Sequence, residues 1–212
     1  SKMVVTGYNV SIGTGLNGFL IKEGFEVTGV DKVKNRWSQK VNVATRMIDL
    51  RNMDDIKDGL DKDYDLIIHL AANPYVFNSV EEPRLAYDNF VVLFNTLEFA
   101  RLNNIKRFMF ASSREVYGNS TKELLNEEDS YVKNCESPYT ATKIGGEAMV
   151  HAYSRCYDMD HIILRFSNIY GMYDESHRLI PTFIRKAKKG EDLVVYGKEK
   201  LLDFTHMNDL IR

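Results

Sequence analysis

With 212 residues, 44% of them hydrophobic, the chain is long enough to bury a full core, and one domain plus part of a second is the natural expectation. A formal charge of −2 with no basic block argues against nucleic acid or an anionic membrane as the main partner. The two cysteines, Cys135 and Cys156, form no C-x-x-C. They suggest neither a disulfide framework nor a zinc site, no metal is expected, and a reducing cytoplasm fits. No apolar run approaches the ~20 residues of a bilayer span, and the N-terminus lacks a signal-peptide pattern.

In chain order, Met3-Val4-Val5-Thr6-Gly7 reads as a short apolar strand ending in glycine. Leu16, Phe19, Leu20 and Ile21 then supply a helical apolar face that Gly24 stops. Residues 25–31 form a second strand ending in Asp31, and a short third strand is expected around Met47-Ile48-Asp49-Leu50. A polar helix follows from about Asp54 to Leu60. The run from Asp65 to Ala72 is almost continuously apolar, as for a strand buried on both faces of a parallel sheet, and Asn73-Pro74 breaks it. His69 within that run reads as a packed core histidine. A helix over 84–103, a strand over 107–111, a helix over 138–156 and a strand over 162–166 complete the alternation. The fold class is therefore α/β, a doubly wound parallel sheet of the Rossmann type, over residues 1–166. A small C-terminal substrate lobe, apparently truncated, covers 167–212.

Strand, glycine turn, helix and strand with a terminal acid is the layout of a dinucleotide-binding βαβ unit. Two glycine frames compete. Gly13-Thr14-Gly15-Leu16-Asn17-Gly18 matches G-x-G-x-x-G letter for letter, yet starts six residues after the strand has ended. The frame of Gly7 and Gly13, with Val10 in the middle position, puts the turn directly after the strand and is preferred. Asp31 suits an acid that accepts bonds from an adenosine ribose, which favours NAD over NADP, although Lys32, Lys34 and Arg36 are placed to cradle a 2′-phosphate.

The chemistry concentrates between Ser112 and Lys143. Ser137 is a helix cap and Pro138 suits the first helical position. Tyr139 and Lys143 are then four apart on one helix face. A neighbouring ammonium favours the phenolate, making Tyr139 a plausible proton acceptor. A strand ending at Ser112-Ser113 would bring the Ser113 hydroxyl near it. Y-x-x-x-K by itself is a weak signal. Its strength comes from Gly7, Asp31, Ala71 and Ser113 all falling at carboxyl ends of strands, where such sheets bind ligands.

These residues resemble the extended short-chain dehydrogenase/reductase family, in its sugar-nucleotide epimerase/dehydratase branch. The likeness rests on Val5-Thr6-Gly7 with Ile12-Gly13, Asp49-Leu50, His69-Leu70-Ala71-Ala72, Asn89 and Leu97-Glu98. It continues through Ser112-Ser113 with Val116-Tyr117-Gly118, Tyr139-x-x-x-Lys143, Arg165 through Gly171, Asp203-Phe204-Thr205 and Asp209, covering essentially the whole chain. The resemblance implies bound NAD held by Gly7, Gly13, Asp31, Asp49, Leu50, Ala71, Ala72, Asn89, Tyr139 and Lys143. Asp49 would meet the adenine amino group, and Lys143 the nicotinamide ribose. It implies a catalytic set of Ser113, Tyr139 and Lys143, and a nucleotide-sugar substrate touched by Ser113, Glu115 and Asn168. It also implies a homodimer through helices 84–103 and 138–156.

Several residues depart from the family pattern. Val10 replaces the middle glycine, Tyr8 a small residue, and Val92-Leu93 a common Gly-Thr pair. Leu202 stands where many relatives carry an arginine for the diphosphate, leaving Lys198, Lys200 or Arg178 as substitutes. The chain stops at Arg212, where relatives continue their substrate lobe. Relatives that are 4,6-dehydratases carry an Asp-Glu pair after the Ser/Thr, and here it is Arg114-Glu115. Because arginine stays charged at any physiological pH, it cannot be that general acid. The favoured reading is thus a C4 epimerase working through a 4-keto sugar. A 4,6-dehydratase or other sugar oxidoreductase, and a non-catalytic binding or regulatory protein, remain as alternatives.

Overall fold

The computed structural model describes residues 1–7 and 10–212. The expectation at Tyr8 lies outside the described residues. Its main sheet contains β1 (Lys2–Thr6), β2 (Glu26–Asp31), β3 (Thr45–Met47), β4 (Leu66–His69), β5 (Arg107–Ser113) and β6 (Asp160–Phe166). They run in the order β3-β2-β1-β4-β5-β6, and every neighbouring pair is parallel. The order reverses between β1 and β4, which opens a crevice at their carboxyl ends. Among the connecting helices are α1 (Ser11–Lys22), α2 (Gln39–Val43), α3 (Met53–Gly59), α4 (Val76–Glu81), α5 (Arg84–Leu102) and α6 (Pro138–Tyr157).

Alternation along the strands builds a core on each face of the sheet. Val4, Val30, Ile67, Phe108 and Phe110 point to one side, against Ile56 of α3, Leu93 and Leu97 of α5 and Val150 of α6. Met3, Val5 and Ile68 point to the other, against Leu20 of α1 and Val41 of α2. Each fully buried Leu, Ile or Phe contributes on the order of 1.5–3 kcal/mol of transfer free energy. His69 is packed among these groups, its Nδ1 2.8 Å from Thr6 Oγ1. Burial and the nearby Lys143 push it down to about 3, so it is a neutral core residue at any working pH.

The third strand lies earlier than the expected 47–50, because it pairs with β2 only through Thr45, Arg46 and Met47. Ile48 and Leu50 are buried all the same. Their alternation marks the wall of a cavity beyond the sheet rather than a strand. The strand before the serine pair is longer than expected and carries both Ser112 and Ser113 within β5.

Past Phe166 the chain leaves the main sheet. A separate parallel pair forms from β7 (Asn168–Tyr170) and β8 (Phe204–His206), with α7 (Leu179–Lys189) between them and α8 (Met207–Ile211) after them. This segment returns to the first helix: a Cβ on Gly15 would stand 2.7 Å from Met207 Sδ and 2.9 Å from Ile211 Cδ1. Gly15 therefore serves close packing of α1 on α8 rather than a phosphate turn. Among the described residues, no helix is long and apolar enough to cross a membrane.

Candidate active site

Two cavities lie along the carboxyl edge of the sheet, of about 200 Å³ and about 620 Å³. They share Val10, Val33 and Ala72 as a common threshold. The smaller is walled by Gly7, Asp31, Asp49, Leu50, Ala71 and Asn89 among others. The larger holds Ser113, Tyr139 and Lys143. The topology therefore brings every expected cofactor and catalytic residue but Gly13, which sits in the first turn of α1, into one continuous groove. Of the expected substrate residues, Ser113 lines it, whereas Glu115 and Asn168 line neither cavity.

The close approach of strand ends at Gly7 sets this geometry. Its φ is +68°, and a Cβ there would lie 2.8 Å from the Ala71 amide nitrogen and 2.9 Å from the Leu70 carbonyl carbon. Only glycine meets both conditions without strain. Helix α1 starts at Ser11, with Val10 in extended conformation as its cap and Thr14 N donating to Val10 O at 2.8 Å. Gly7 follows β1 directly, whereas Gly13, shared by the two frames, lies inside α1 with Gly15 and Gly18. The amides of Ser11, Ile12 and Gly13 precede the first intrahelical bond, and no acid stands in that first turn. Those amides and the positive end of the helix dipole suit a pyrophosphate. The glycine cradle, the helix end and the adjoining cavities together fit the dinucleotide that the sequence implies.

Val10 is 45% exposed and stands on the threshold between the two cavities. Its β-branched side chain takes up space along the path a dinucleotide must follow. Val10→Gly is expected to tighten NAD binding, measured by calorimetric titration of both proteins. Equal affinities would show that the loop has adapted to valine.

The acidic residues of the smaller cavity are held by their neighbours. Asp31 Oδ1 accepts from the amides of Lys32 (2.7 Å) and Val33 (3.2 Å). Asp49 is gripped by Arg51, with Nε to Oδ1 at 3.0 Å and Nη2 to Oδ2 at 2.8 Å, which holds its carboxyl below the usual range. Arg51 also reaches Asp88 at 3.5 Å. Asn89 accepts from Asn73 N at 2.6 Å and donates to Asn73 O at 3.1 Å. Its amide thus braces the turn after β4 while the residue lines the cavity. Arg36, which lines the larger cavity, is paired with Glu175, whose Oε1 also accepts from Trp37 Nε1 at 3.3 Å.

In the larger cavity, Ser137 Oγ accepts from Thr140 N at 3.0 Å and Pro138 opens α6, as the sequence implied. Ser79 of α4 accepts from Tyr139 N at 3.1 Å and fixes the start of the helix. Ser113 Oγ accepts from Glu115 N at 3.1 Å, which leaves its hydroxyl proton to donate. Lys143 Nζ donates to the Ala111 carbonyl at 2.7 Å and lies 5.7 Å from the Tyr139 ring centre. Among the described residues, no cluster of His, Cys, Asp and Glu is placed to hold a metal ion.

The direction of the Tyr139 shift is the reverse of that expected from its lysine neighbour. Burial pushes Tyr139 up, opposed by the Ser113 hydrogen bond and the Arg178 charge, with Glu115 adding to the rise. Burial also lowers Lys143 to about 8. Desolvation acts against the charged form of both groups and is the largest influence on each.

Glu115 is paired with Arg114 at 3.4 Å. Asn168 donates its side-chain amide to Asp203 O at 2.9 Å, and its neighbours Ser167 and Ile169 line the larger cavity instead. Of the three basic residues considered in place of an arginine at Leu202, Arg178 lines that cavity, whereas Lys198 and Lys200 are outside its lining. Sequence reading gave Arg165 only as part of the family pattern, and missed Ser79 and Glu147. Glu147 was within reach of it, standing four residues after Lys143 on the same helix face.

The NAD dependent epimerase/dehydratase family matches residues 3–212. The Protein CapI of Staphylococcus aureus is 32% identical over 224 residues, covering 99% of this chain and 67% of its own length. A dTDP-glucose 4,6-dehydratase of Streptomyces niveus is 29% identical over 89% of this chain and 58% of its own. The solved UDP-N-acetylglucosamine 4-epimerase from Methanobrevibacter ruminantium superposes with a TM-score of 0.86 at 28% identity, over 99% of this chain and 70% of that one. With the family's match running over residues 3–212, nearly the whole length that builds this groove, the chain belongs to the NAD dependent epimerase/dehydratase family.

Proposed function

We propose that this protein epimerises a nucleotide sugar at C4 through a transient 4-keto intermediate. The observation that carries this reading is the residue after the catalytic serine. Arg114 replaces an acid there and is bound to Glu115 at 3.4 Å. A dehydratase must protonate a departing hydroxyl and remove a proton from the adjacent carbon, and a permanently charged guanidinium cannot donate that proton. Epimerisation needs one proton acceptor, a hydrogen-bonded serine and room for the keto sugar to turn, and the 620 Å³ cavity offers that room.

In this reading Ser113 donates to the sugar oxygen and Tyr139 takes the hydroxyl proton, then returns it when the ketone is reduced from the other side. Tyr139 and Ser113 are both buried, so water is kept from the reacting carbon. Lys143 fixes the ribose nearest the reacting ring. NAD, when bound, supplies a reversible two-electron acceptor for the C4 hydrogen. Arg178, on the rim of the same cavity, is the cation placed to meet the diphosphate in place of an arginine at Leu202. Residues 167–212 begin the substrate-binding lobe in this reading.

Incubation with NAD and a panel of UDP- and dTDP-hexoses, read by mass and NMR, tests it. A product of unchanged mass with inverted C4 is the expected result. Loss of one water overturns epimerisation in favour of dehydration. No turnover of any substrate, with NAD bound, favours a binding protein.

A further inference from the structure

The helix face that carries Tyr139 and Lys143 continues one turn further to Glu147. Lys143 Nζ donates to the Ala111 carbonyl at 2.7 Å, and Ser112 Oγ donates to Glu147 Oε1 at 2.5 Å. Two successive residues at the end of β5 are thus stitched to successive turns of α6. From β6, Arg165 closes on the same carboxylate, with Nε to Oε1 at 3.0 Å and Nη2 to Oε2 at 2.8 Å. Glu147 and Lys143 are both buried.

The groups around Lys143 leave Glu147 in a special position. On α6 its companions are Tyr139, neutral because burial raises it, and Glu147. From β4 comes His69, neutral as well. From β5 come the Ala111 carbonyl and the Phe110 ring, whose centre lies 5.1 Å from Nζ. From β6 comes Arg165, beyond the carboxylate. Among the described residues around Lys143, then, Glu147 is the anion, ion-paired with the part-buried Arg165 and one helical turn from the buried ammonium.

We propose that Glu147 is a positioning residue for Lys143, its carboxylate, clamped by Arg165 and Ser112, keeping the buried ammonium charged at the end of β5. A mere strut would tie α6 to the sheet without affecting where Lys143 titrates. A buried carboxylate one helical turn from the ammonium does affect it. Burial lowers Lys143 to about 8 and Glu147 acts against that fall, so the group is charged below about 8 and neutral above it. With the carboxylate neutralised, burial acts on Lys143 unopposed, and its midpoint falls toward neutrality.

The functional consequence rests on the role of Lys143 proposed above, whereas the titration is observable without cofactor. Protein carrying ¹³C-lysine, with the Lys143 resonance assigned by its absence in Lys143→Met, reports the midpoint directly. Glu147→Gln is expected to lower it by about one pH unit or more. Glu147→Asp should stay near the wild type. An unshifted midpoint in Glu147→Gln overturns the proposal. If Glu147→Gln alone fails to fold because Arg165 is left without its partner, Glu147→Gln/Arg165→Gln removes both groups of the clamp, and an unmoved Lys143 midpoint there refutes the coupling. Calorimetry with NAD separates the two readings. Affinity that falls with the shifted midpoint supports both. A shifted midpoint with affinity indifferent to it overturns the role given to Lys143 and leaves the coupling standing.

Discussion

Tyr139→Phe is expected to reduce turnover by about 10²–10⁴-fold, the usual worth of a positioned acid–base group, with fold and NAD affinity nearly intact. The substitution removes one oxygen from a side chain whose backbone is held by the Ser79 bond and whose ring is packed at the head of α6. The hydroxyl's bond to Ser113 is lost, but both residues line the cavity and the ring keeps its place. Steady-state kinetics beside calorimetry and thermal melts check it, and full activity in the variant would end the mechanism proposed here. The pH profile of the wild type adds a second check. Tyr139 is raised by burial, so the rate climbs with pH as the phenolate becomes accessible. It turns down near pH 8, where Lys143 loses its charge. A profile that keeps rising well past 8 would show that Lys143 need not be charged.

The second large effect is expected at Gly7. Gly7→Ala puts a side chain at φ +68° and its Cβ within 2.8 Å of a backbone nitrogen. The left-handed conformation alone costs about 1–2 kcal/mol. The clash is with the backbone of Ala71 and Leu70, which cannot rotate aside as a side chain can, so a total loss above about 2 kcal/mol is expected. NAD binding should suffer more than stability, since Gly7 and Ala71 wall the smaller cavity together. Gly18→Ala is the informative control. A Cβ there meets nothing within 4 Å, and the residue lies inside α1, so alanine should stabilise by up to about 1 kcal/mol. Gly18 is the last glycine of the letter-perfect motif. Denaturant melts of the two variants therefore separate a glycine required by geometry from one that only completes a pattern. Equal losses at Gly7 and Gly18 would contradict the assignment of the turn.

Much of this protein was legible in the order of its residues. Strands buried on both faces read as continuous apolar runs, and helices with Ser137-Pro138 at their start announce themselves locally. The alternation of the two fixes a doubly wound sheet, because parallel strands need a crossover between them. Since such a sheet gathers its loops at the carboxyl ends, Gly7, Asp31, Ala71 and Ser113 were expected in one crevice, and the structure lines its cavities with them. The third strand was misplaced because Ile48 and Leu50 alternate like a strand while lining a cavity. Burial writes the same pattern into a sequence whichever surface does the burying.

What only the tertiary structure decided were quantities that depend on depth and on partners distant in the chain. The spacing of Tyr139 and Lys143 implies that they meet. Whether their charges help each other depends on how much water the surrounding strands remove, and here desolvation raises the tyrosine and lowers the lysine. Asn89 is spent on the Asn73 backbone, Asp49 is gripped by Arg51, and Glu147 is clamped by Arg165, eighteen residues away in sequence. A sequence specifies which side chains can pair at helical or strand spacing, since those periods are local. The pairing of groups brought together by crossovers, and the dielectric in which they meet, follow only from the packed whole.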